Sequence, residues 1–464
     1  MALERASWND SDPRTKPFWG PRPSFRFWPR ETSQPQNPPL TRYDLAYTLA
    51  LPAIVPYLGW RRLARGKYTE SAGGMLGFRL PNGSGTDLFA EGSLWLHAVS
   101  VGEVAAARAV ADGLRALAPG LPLVVSTITE TGQAAARRQF PGDAVTYFPI
   151  DLSPLVRRFQ NVFRPRIFVL METEIWPNFL TLASRRGARC FMINAKLSDR
   201  SFPRYMRLRR FLAPALGSLA GVCAQTPLDA ERFAALGLAR ERIRVTGNCK
   251  FDLSQEPLTA QEHRELCERF GMAPERRWIV VGSTHPGEEE LMLRAFRAVR
   301  ERVPEAGMLI CPRHPERFGE AAALAAEAGW RVGRAGAPDG PTDPEVVVLD
   351  KMGVLARAYG LGEVGVVAGS FCKVGGHNLL EAAAHAVPVL YGPHMHGQRE
   401  IHRLFTQSRA GQQVDPESLA PTLCTLLTDE SRRRTEGEKA RRVLESSQGS
   451  TARSVQAIKD FIGG

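Results

Sequence analysis

The sequence contains no Cys-x-x-Cys pair. Its seven cysteines (190, 223, 249, 267, 311, 372 and 424) are odd in number and widely spaced. That pattern argues against a disulfide framework and against a structural zinc site, and it points to a reducing compartment for the bulk of the chain. His-Glu-x-x-His, the Walker lysine motif and Gly-x-Ser-x-Gly are also missing, and Asp-x-Asp, the pair that a metal-chelated diphosphate donor often wants, occurs only as Asp10-Ser11-Asp12 in the Pro-rich N-terminal segment, away from any apolar strand-like run. A donor with a single phosphate, held by arginine and helix ends, needs no metal. Nothing resembles a zinc finger, an RNA-recognition motif or a dense basic stripe interleaved with aromatics, so nucleic acid is not the expected partner. Acidic residues are outnumbered, 48 against 60 basic, and the net charge of +12 calls for an anionic partner such as an anionic lipid or a phosphosugar.

What is present is a globular composition, 44% hydrophobic and 23% charged, on a chain of 464 residues. That length is too great for one ordinary core and implies two domains with additions. Residues 1–41 are rich in Pro, Arg, Trp and Ser without periodicity and read as a disordered extension. Residues 42–66 hold the apolar run from Tyr43 to Trp60, followed by Arg61, Arg62, Arg65 and Lys67. The run is short of the ~20 apolar residues of a spanning helix and contains Asp44 and two prolines. It has no small-residue cleavage site after a basic start, which argues against a secretory signal. Its aromatic ends and basic flank fit an interfacial or membrane-anchor helix; the competing reading is a buried helix of the first domain.

From there strand and helix alternate. Apolar runs at 94–99, 123–127, 145–148, 167–171, 190–194 and 221–224 predict strands, with helices between several of them. A polar helical segment at 259–270 marks a linker, residues 253–275. A second series begins at 278–281 and continues at 308–311, 346–349, 364–368 and 387–390. The fold class expected is α/β, two Rossmann-like doubly wound domains facing a central cleft, residues 67–252 and 276–464.

The stretch Gly369-Ser-Phe-Cys-Lys-Val-Gly-Gly-His-Asn-Leu-Leu-Glu381 carries the densest chemistry. It reads as a glycine-rich loop between an apolar strand and a short helix. Gly375 and Gly376 let a backbone approach a ligand closely, and the helix start offers N–H groups to an anion. Asn378, Glu381 and His385 fall at i, i+3, i+7, one helix face. A phosphate beside a ribose fits this array; an ordinary strand–helix turn is the plain alternative.

Other candidates also sit just past apolar strands, where open α/β sheets place ligands. Glu103 follows Leu94–Val99 and Gly102, and reads either as a helix-capping carboxylate or as a general base on a substrate hydroxyl. Glu172 and Glu174 follow Ile167–Met171, with an ion pair to arginine as the alternative. The segment from Asn194 to Arg204, with Lys196 and Arg200, is basic and polar and fits phosphates on a substrate. In the second half, Ser283 and Thr284 precede a helix start at Glu288–Glu290 and form a possible phosphate cradle. Arg313 and His314 end the next strand, and a guanidinium binds phosphate in bidentate fashion. Met352 and Gly353 could bring backbone groups to a base.

Taken in order, Ser100-Val-Gly-Glu103, Met171-Glu-Thr-Glu-Ile-Trp-Pro-Asn178, Gly282-Ser-Thr-His-Pro-Gly-Glu288, Pro312-Arg-His-Pro-Glu-Arg-Phe318, Lys351-Met-Gly353, Gly376-His-Asn-Leu-Leu-Glu381 and Gly392-Pro-His-Met-His396 resemble the bacterial 3-deoxy-D-manno-octulosonic acid (Kdo) transferases of lipopolysaccharide synthesis. The resemblance runs from about Tyr43 to the C-terminus. It implies a GT-B fold and a transferase that moves Kdo from CMP-Kdo to the 6′-hydroxyl of a lipid A precursor, lipid IVA, with inversion. It also implies work at the cytoplasmic face of the bacterial inner membrane, without a cofactor or metal. Carried over, Glu103 is the general base and one of Glu172 and Glu174 a supporting acid. Arg313 binds the CMP phosphate, Met352 and Gly353 the cytosine region, Asn378 the phosphate end and Glu381 the ribose. Leu379-Leu380-Glu381-Ala382 departs from the proline-bearing helix start of the family, and residues 1–41 lie outside its pattern. Two rivals stay open: a GT-B enzyme using another nucleotide sugar on a lipid, and a catalytically silent membrane protein that binds lipid A or nucleotide.

Overall fold

The computed structural model describes residues 40–49, 71–78, 80, 83–253, 256–273, 275–337, 341 and 343–463. Most of the expected Pro-rich extension and residues 50–66 of the expected anchor lie outside the described residues. The chain forms two compact units, one reaching Val245 and taking in Ser454–Gly464, the other running from Thr246 to Arg453.

The first unit is built on seven strands: β1 (Ser93–His97), β2 (Leu123–Thr127), β3 (Ala144–Tyr147), β4 (Pro165–Met171), β5 (Arg189–Ala195), β6 (Leu219–Ala224) and β7 (Ile243–Val245). They pair in the order β3-β2-β1-β4-β5-β6-β7, and every pairing is parallel. Strands β1 and β2 are buried at every residue, as expected where crossover helices cover both faces of a parallel sheet. Trp95 anchors one face, with the rings of Phe163 and Phe179 edge-on at 5.2 and 5.0 Å and its indole N–H donating to Ser126 Oγ at 2.8 Å. A ring so enclosed contributes roughly 2–3 kcal/mol by burial alone. The order of connection reverses between β1 and β4, so the carboxyl ends of these two strands flank the sheet's topological switch point, the usual place for a ligand.

The second unit repeats the plan with β8 (Arg277–Thr284), β9 (Ala306–Pro312), β10 (Val332–Arg334), β11 (Val346–Val348), β12 (Val364–Val367), β13 (Val389–Tyr391) and β14 (Gln412–Gln413). The order is β10-β11-β9-β8-β12-β13-β14, again all parallel. Here the reversal falls between β8 and β12. Two parallel sheets therefore stand where the alternating sequence pattern placed them, each extended to seven strands by the short strands β7, β10 and β14 that the pattern did not mark.

The boundaries differ from those expected in two places. The polar segment after residue 258 is a capped helix, Ala260–Arg269, in which Thr259 and Glu262 form a reciprocal capping box. Its Cys267 and the adjoining Phe270 are buried in the second unit's core, so it is part of that domain rather than a linker. The last helix, Ser450–Gly463, returns to the first unit from Ser454 onward: Ile458 is fully buried and Phe461 stacks on Phe191 of β5. Scattered apolar residues in a short terminal helix gave no hint of which domain they cover.

Residues 42–49 are helical, and the first turn is docked on the first unit. Tyr43 is buried edge-on against Phe211. Asp44 accepts from the Ser153 N–H at 2.7 Å, the Ser153 hydroxyl at 2.6 Å and Asn178 Nδ2 at 3.1 Å. The alternative of a buried domain helix is thus met for this turn. Among the described residues no helix is long and apolar enough to cross a membrane.

Candidate active site

In the first unit, the helix Val101–Leu117 starts directly beyond β1 with Ser100 as its N-cap. Glu103 is buried there: its carboxylate accepts from the Val99 N–H at 2.8 Å and the Ser100 hydroxyl at 2.9 Å, and its own N–H reaches back to Ser100 Oγ at 3.4 Å. These bonds are the capping role that the sequence offered as an alternative. They also fix the orientation of the carboxylate. Gly102 lies within the first helical turn, with open space where a side chain would be.

Strand β4 ends at Met171, and Glu172 takes a left-handed backbone (φ 59°) while donating its N–H to Ile193 O at 2.9 Å. Neither Glu172 nor Glu174 is therefore part of the strand, and no strand periodicity aligns them. They converge by another route. Burial, and then the charges of Glu103 and Glu172, push the Glu174 carboxyl up to about 7. Three carboxylates thus share one electrostatic neighbourhood at the β1/β4 switch point, and one of them holds its proton near neutrality. Tyr205 is a member of the neighbourhood that the sequence did not single out; burial and the Glu174 charge raise its hydroxyl. Asn178 serves a different purpose from its motif neighbours, since Asp151 caps its helix by accepting from the N–H groups of Asn178 and Phe179 at 3.0 and 2.8 Å.

In the second unit the residues beyond β8, β9 and β12 meet. Ser283 is left-handed (φ 61°), and Thr284 is buried with its hydroxyl donating to Glu289 at 2.8 Å. Glu289 also receives Arg317 at 3.0 Å. Glu288, buried, accepts from the N–H groups of His285, Gly369 and Phe371 at 3.0, 2.8 and 2.9 Å. Two of the three acids at this helix start are consequently scaffolding, and Thr284 is committed to them.

Arg313 is exposed; its backbone N–H donates to Thr284 O at 3.0 Å, while its guanidinium carries no hydrogen bond or ion pair among the described residues. Its charge reaches Glu381, whose carboxyl is raised by burial against the lowering effects of an Asn378 hydrogen bond and of Arg313. Arg313, Asn378 and Glu381 therefore converge as expected. The helix face proposed for Asn378, Glu381 and His385 does not exist, because the helix is only Leu380–Ala383. Asn378 precedes it, and His385 lies past its end with Nε2 on Ala356 O at 2.7 Å. Gly375 and Gly376 are left-handed (φ 110° and 80°) and buried. Both donate their N–H groups to Gly369 O, and Gly375 O accepts from Gly397 N at 2.8 Å. Their close approach is to the protein's own 394–397 segment. Met352 is exposed and Gly353 left-handed with open space around it, a turn accessible to a ligand.

The sequence passed over two histidines. His285 and His377 set their Nε2 atoms 2.9 Å apart, in rings only 2° from parallel, and His314 stands edge-on to His285 at 5.6 Å. Burial first, and then the neighbouring His285 and Arg313, hold His377 down to about 4. Among the described residues no group of three or more His, Cys, Asp or Glu side chains is arranged to hold a metal ion.

Residues 65–253 match the family described as 3-deoxy-D-manno-octulosonic acid transferase (kdotransferase). The 3-deoxy-D-manno-octulosonic acid transferase of Bordetella pertussis is 32% identical over 438 residues, covering 90% of this chain and 99% of its own. The Haemophilus influenzae enzyme of the same name is 32% identical over 374 residues, covering 80% and 87%. Among solved structures, a glycosyltransferase from Rickettsia africae (TM-score 0.55, 13% identity, 80% of this chain and 98% of that one) shares the fold. So does a putative UDP-N-acetylglucosamine 2-epimerase from Listeria monocytogenes (TM-score 0.55, 13% identity, 79% and 96%). Transferase and epimerase alike use this architecture, so the fold by itself does not select the reaction.

Proposed function

The chain belongs to the 3-deoxy-D-manno-octulosonic acid (Kdo) transferase family and is a glycosyltransferase of lipopolysaccharide synthesis; from that premise we propose that it moves Kdo from CMP-Kdo to the 6′-hydroxyl of a lipid A precursor, lipid IVA, with inversion. Glu103 takes the hydroxyl proton as the new bond from O6′ to the anomeric carbon forms. The bond from that carbon to the phosphate oxygen breaks, and its electron pair leaves on CMP. A phosphate is a good leaving group, so no second acid is needed at the departing oxygen, unlike the carboxylate pair of glycosidases. Glu174 keeps a proton beside Glu103 and so limits the repulsion within the three-carboxylate group.

In this reading Arg313 meets the departing phosphate, with no metal required. Asn378 and Glu381 serve the phosphate end and ribose, Met352 and Gly353 the cytosine, and Ser283 keeps the turn open beside them. The observation that carries the assignment is the unpaired Arg313 guanidinium next to the Asn378–Glu381 pair, at the carboxyl ends of the central strands of the second sheet.

The reaction is placed at the cytoplasmic leaflet of the inner membrane. Support comes from two exposed features of the first unit. Leu45 and Leu49 are 63% and 73% exposed on the helix 42–49. On the helix Phe202–Gly217, Arg204, Arg207, Arg209 and Arg210 are exposed around Leu208, without an ion pair among the described residues. Such a basic, partly apolar surface binds anionic headgroups. A donor competition tests the assignment: protection against thermal unfolding by CMP and not by UDP-sugars is expected, and protection by UDP-sugars alone would overturn it.

A further inference from the structure

Kdo is an ulosonic acid, so its nucleotide carries two anions: the phosphate and a carboxylate on the anomeric carbon itself. Arg313 accounts for one. We propose that His285 and His377, with His314 beside them, form the subsite for the sugar carboxylate of the donor, an assignment that rests on the reading of the donor as CMP-Kdo.

The three histidines end or follow β8, β9 and β12, adjacent strands of one sheet, and His285 and His377 straddle its switch point. The centroids of His285 and His377 are 5.2 Å apart, little more than the 2.9 Å between their Nε2 atoms plus the two ring radii. The rings therefore meet head-on in one plane and share a hydrogen bond; they are not stacked face to face. That bond dictates tautomers. One ring donates through Nε2, and the ring that accepts there must carry its proton on Nδ1. No protein acceptor engages either Nδ1 among the described residues. The pair thus presents at least one N–H outward, and a second when it takes up a proton.

The surroundings favour an anion. Arg313, Arg317 and His314 all direct positive charge at His285, and Arg313 and His314 at His377. The carboxylates nearby are already engaged: Glu288 is buried and accepts three backbone N–H groups, Glu289 is paired with Arg317, and Glu381 is hydrogen-bonded to Asn378. A carboxylate lying between the imidazoles and Arg313 would supply the counter-charge that the protein itself withholds.

The test compares the KM for CMP-Kdo, regenerated in the assay, with the inhibition constant of CMP, for wild type, His377→Gln and His314→Gln. Removing a hydrogen bond to a charged group should raise the donor KM of His377→Gln by roughly ten- to a hundredfold. Inhibition by CMP should stay within about twofold of wild type, which also shows that the nucleotide site is folded. His314→Gln should change in the same direction and by less. An unchanged donor KM, or a parallel loss of donor and CMP binding, overturns the subsite. Failure of the wild type to form any Kdo product would instead overturn the donor assignment on which the subsite rests.

Discussion

Glu288 Oε2 accepts the backbone N–H of Gly369 at 2.8 Å, so the first residue of the helix that follows β8 holds the loop that follows β12. The same carboxylate takes the N–H of Phe371 through its other oxygen. Everything proposed for the donor hangs on these two strand ends being in register, and one buried side chain links them.

Glu288→Gln should therefore loosen the second domain. An amide keeps one acceptor and turns an NH2 toward a donor, which forfeits a charge-assisted bond and leaves a buried clash of donors. The expected cost is about 2–3 kcal/mol of unfolding free energy, read from denaturant midpoints. A midpoint equal to wild type would show that Glu288 does not hold the loop.

Gly369 has a positive φ of 68°, and a Cβ there would lie 2.6 Å from Cδ2 of His377. Gly369→Ala should cost roughly 1–2 kcal/mol through the backbone alone and push His377 away from His285. A raised donor KM with CMP inhibition retained is the expected signature. A variant with wild-type stability and KM would contradict the geometry.

Burial first, and then Glu103 and Glu172, raise Glu174 to about 7 from an ordinary 4.5. Below 4.5 the carboxyl is protonated in both states. As pH rises from there toward 7 the unfolded chain ionises first, the native state binds more protons, and stability falls across that window. Glu174→Gln removes this loss, so its stability relative to wild type should improve from pH 4.5 to pH 7. A difference that does not change with pH would show that the folded chain does not raise Glu174. Asp151, also raised to about 7 by burial, is present in both proteins and cancels in the comparison.

Exposed arginines on the helix Phe202–Gly217 should make vesicle binding depend on salt. Reversing Arg207, Arg209 and Arg210 to Glu should abolish flotation of the protein with anionic vesicles at low salt while leaving CMP inhibition unchanged. Retained flotation would move the membrane contact elsewhere.

The strand ends were legible in the sequence because each fully buried parallel strand is a short apolar run, and ligand groups gather just past its last residue. Glu103 and Arg313 were singled out in this way, and Asn378 and Glu381 from the glycine-rich loop that follows β12. Arguments that extended a regular element past its end failed. Glu172 leaves β4 in a left-handed turn, and the helix at Leu380–Ala383 is too short to align Asn378 with His385. The pairing of His285 with His377 was out of reach, since it joins residues 92 apart through the side-by-side pairing of β8 and β12. Each histidine alone is an ordinary loop residue. Likewise nothing local reveals that Phe461 belongs beside Phe191.

The central claim is Kdo transfer with Glu103 as the base, and product mass tests it most directly. Purified wild-type protein and Glu103→Gln are each incubated with lipid IVA and CMP-Kdo generated in place, and the lipid is weighed by mass spectrometry. Kdo mass should appear on the lipid with the wild type. With Glu103→Gln the rate should fall by about 10²–10⁴-fold, with CMP inhibition and the unfolding midpoint retained. Equal product from both proteins would leave Glu103 with its capping role alone, and no product from a folded wild type would contradict the transfer itself.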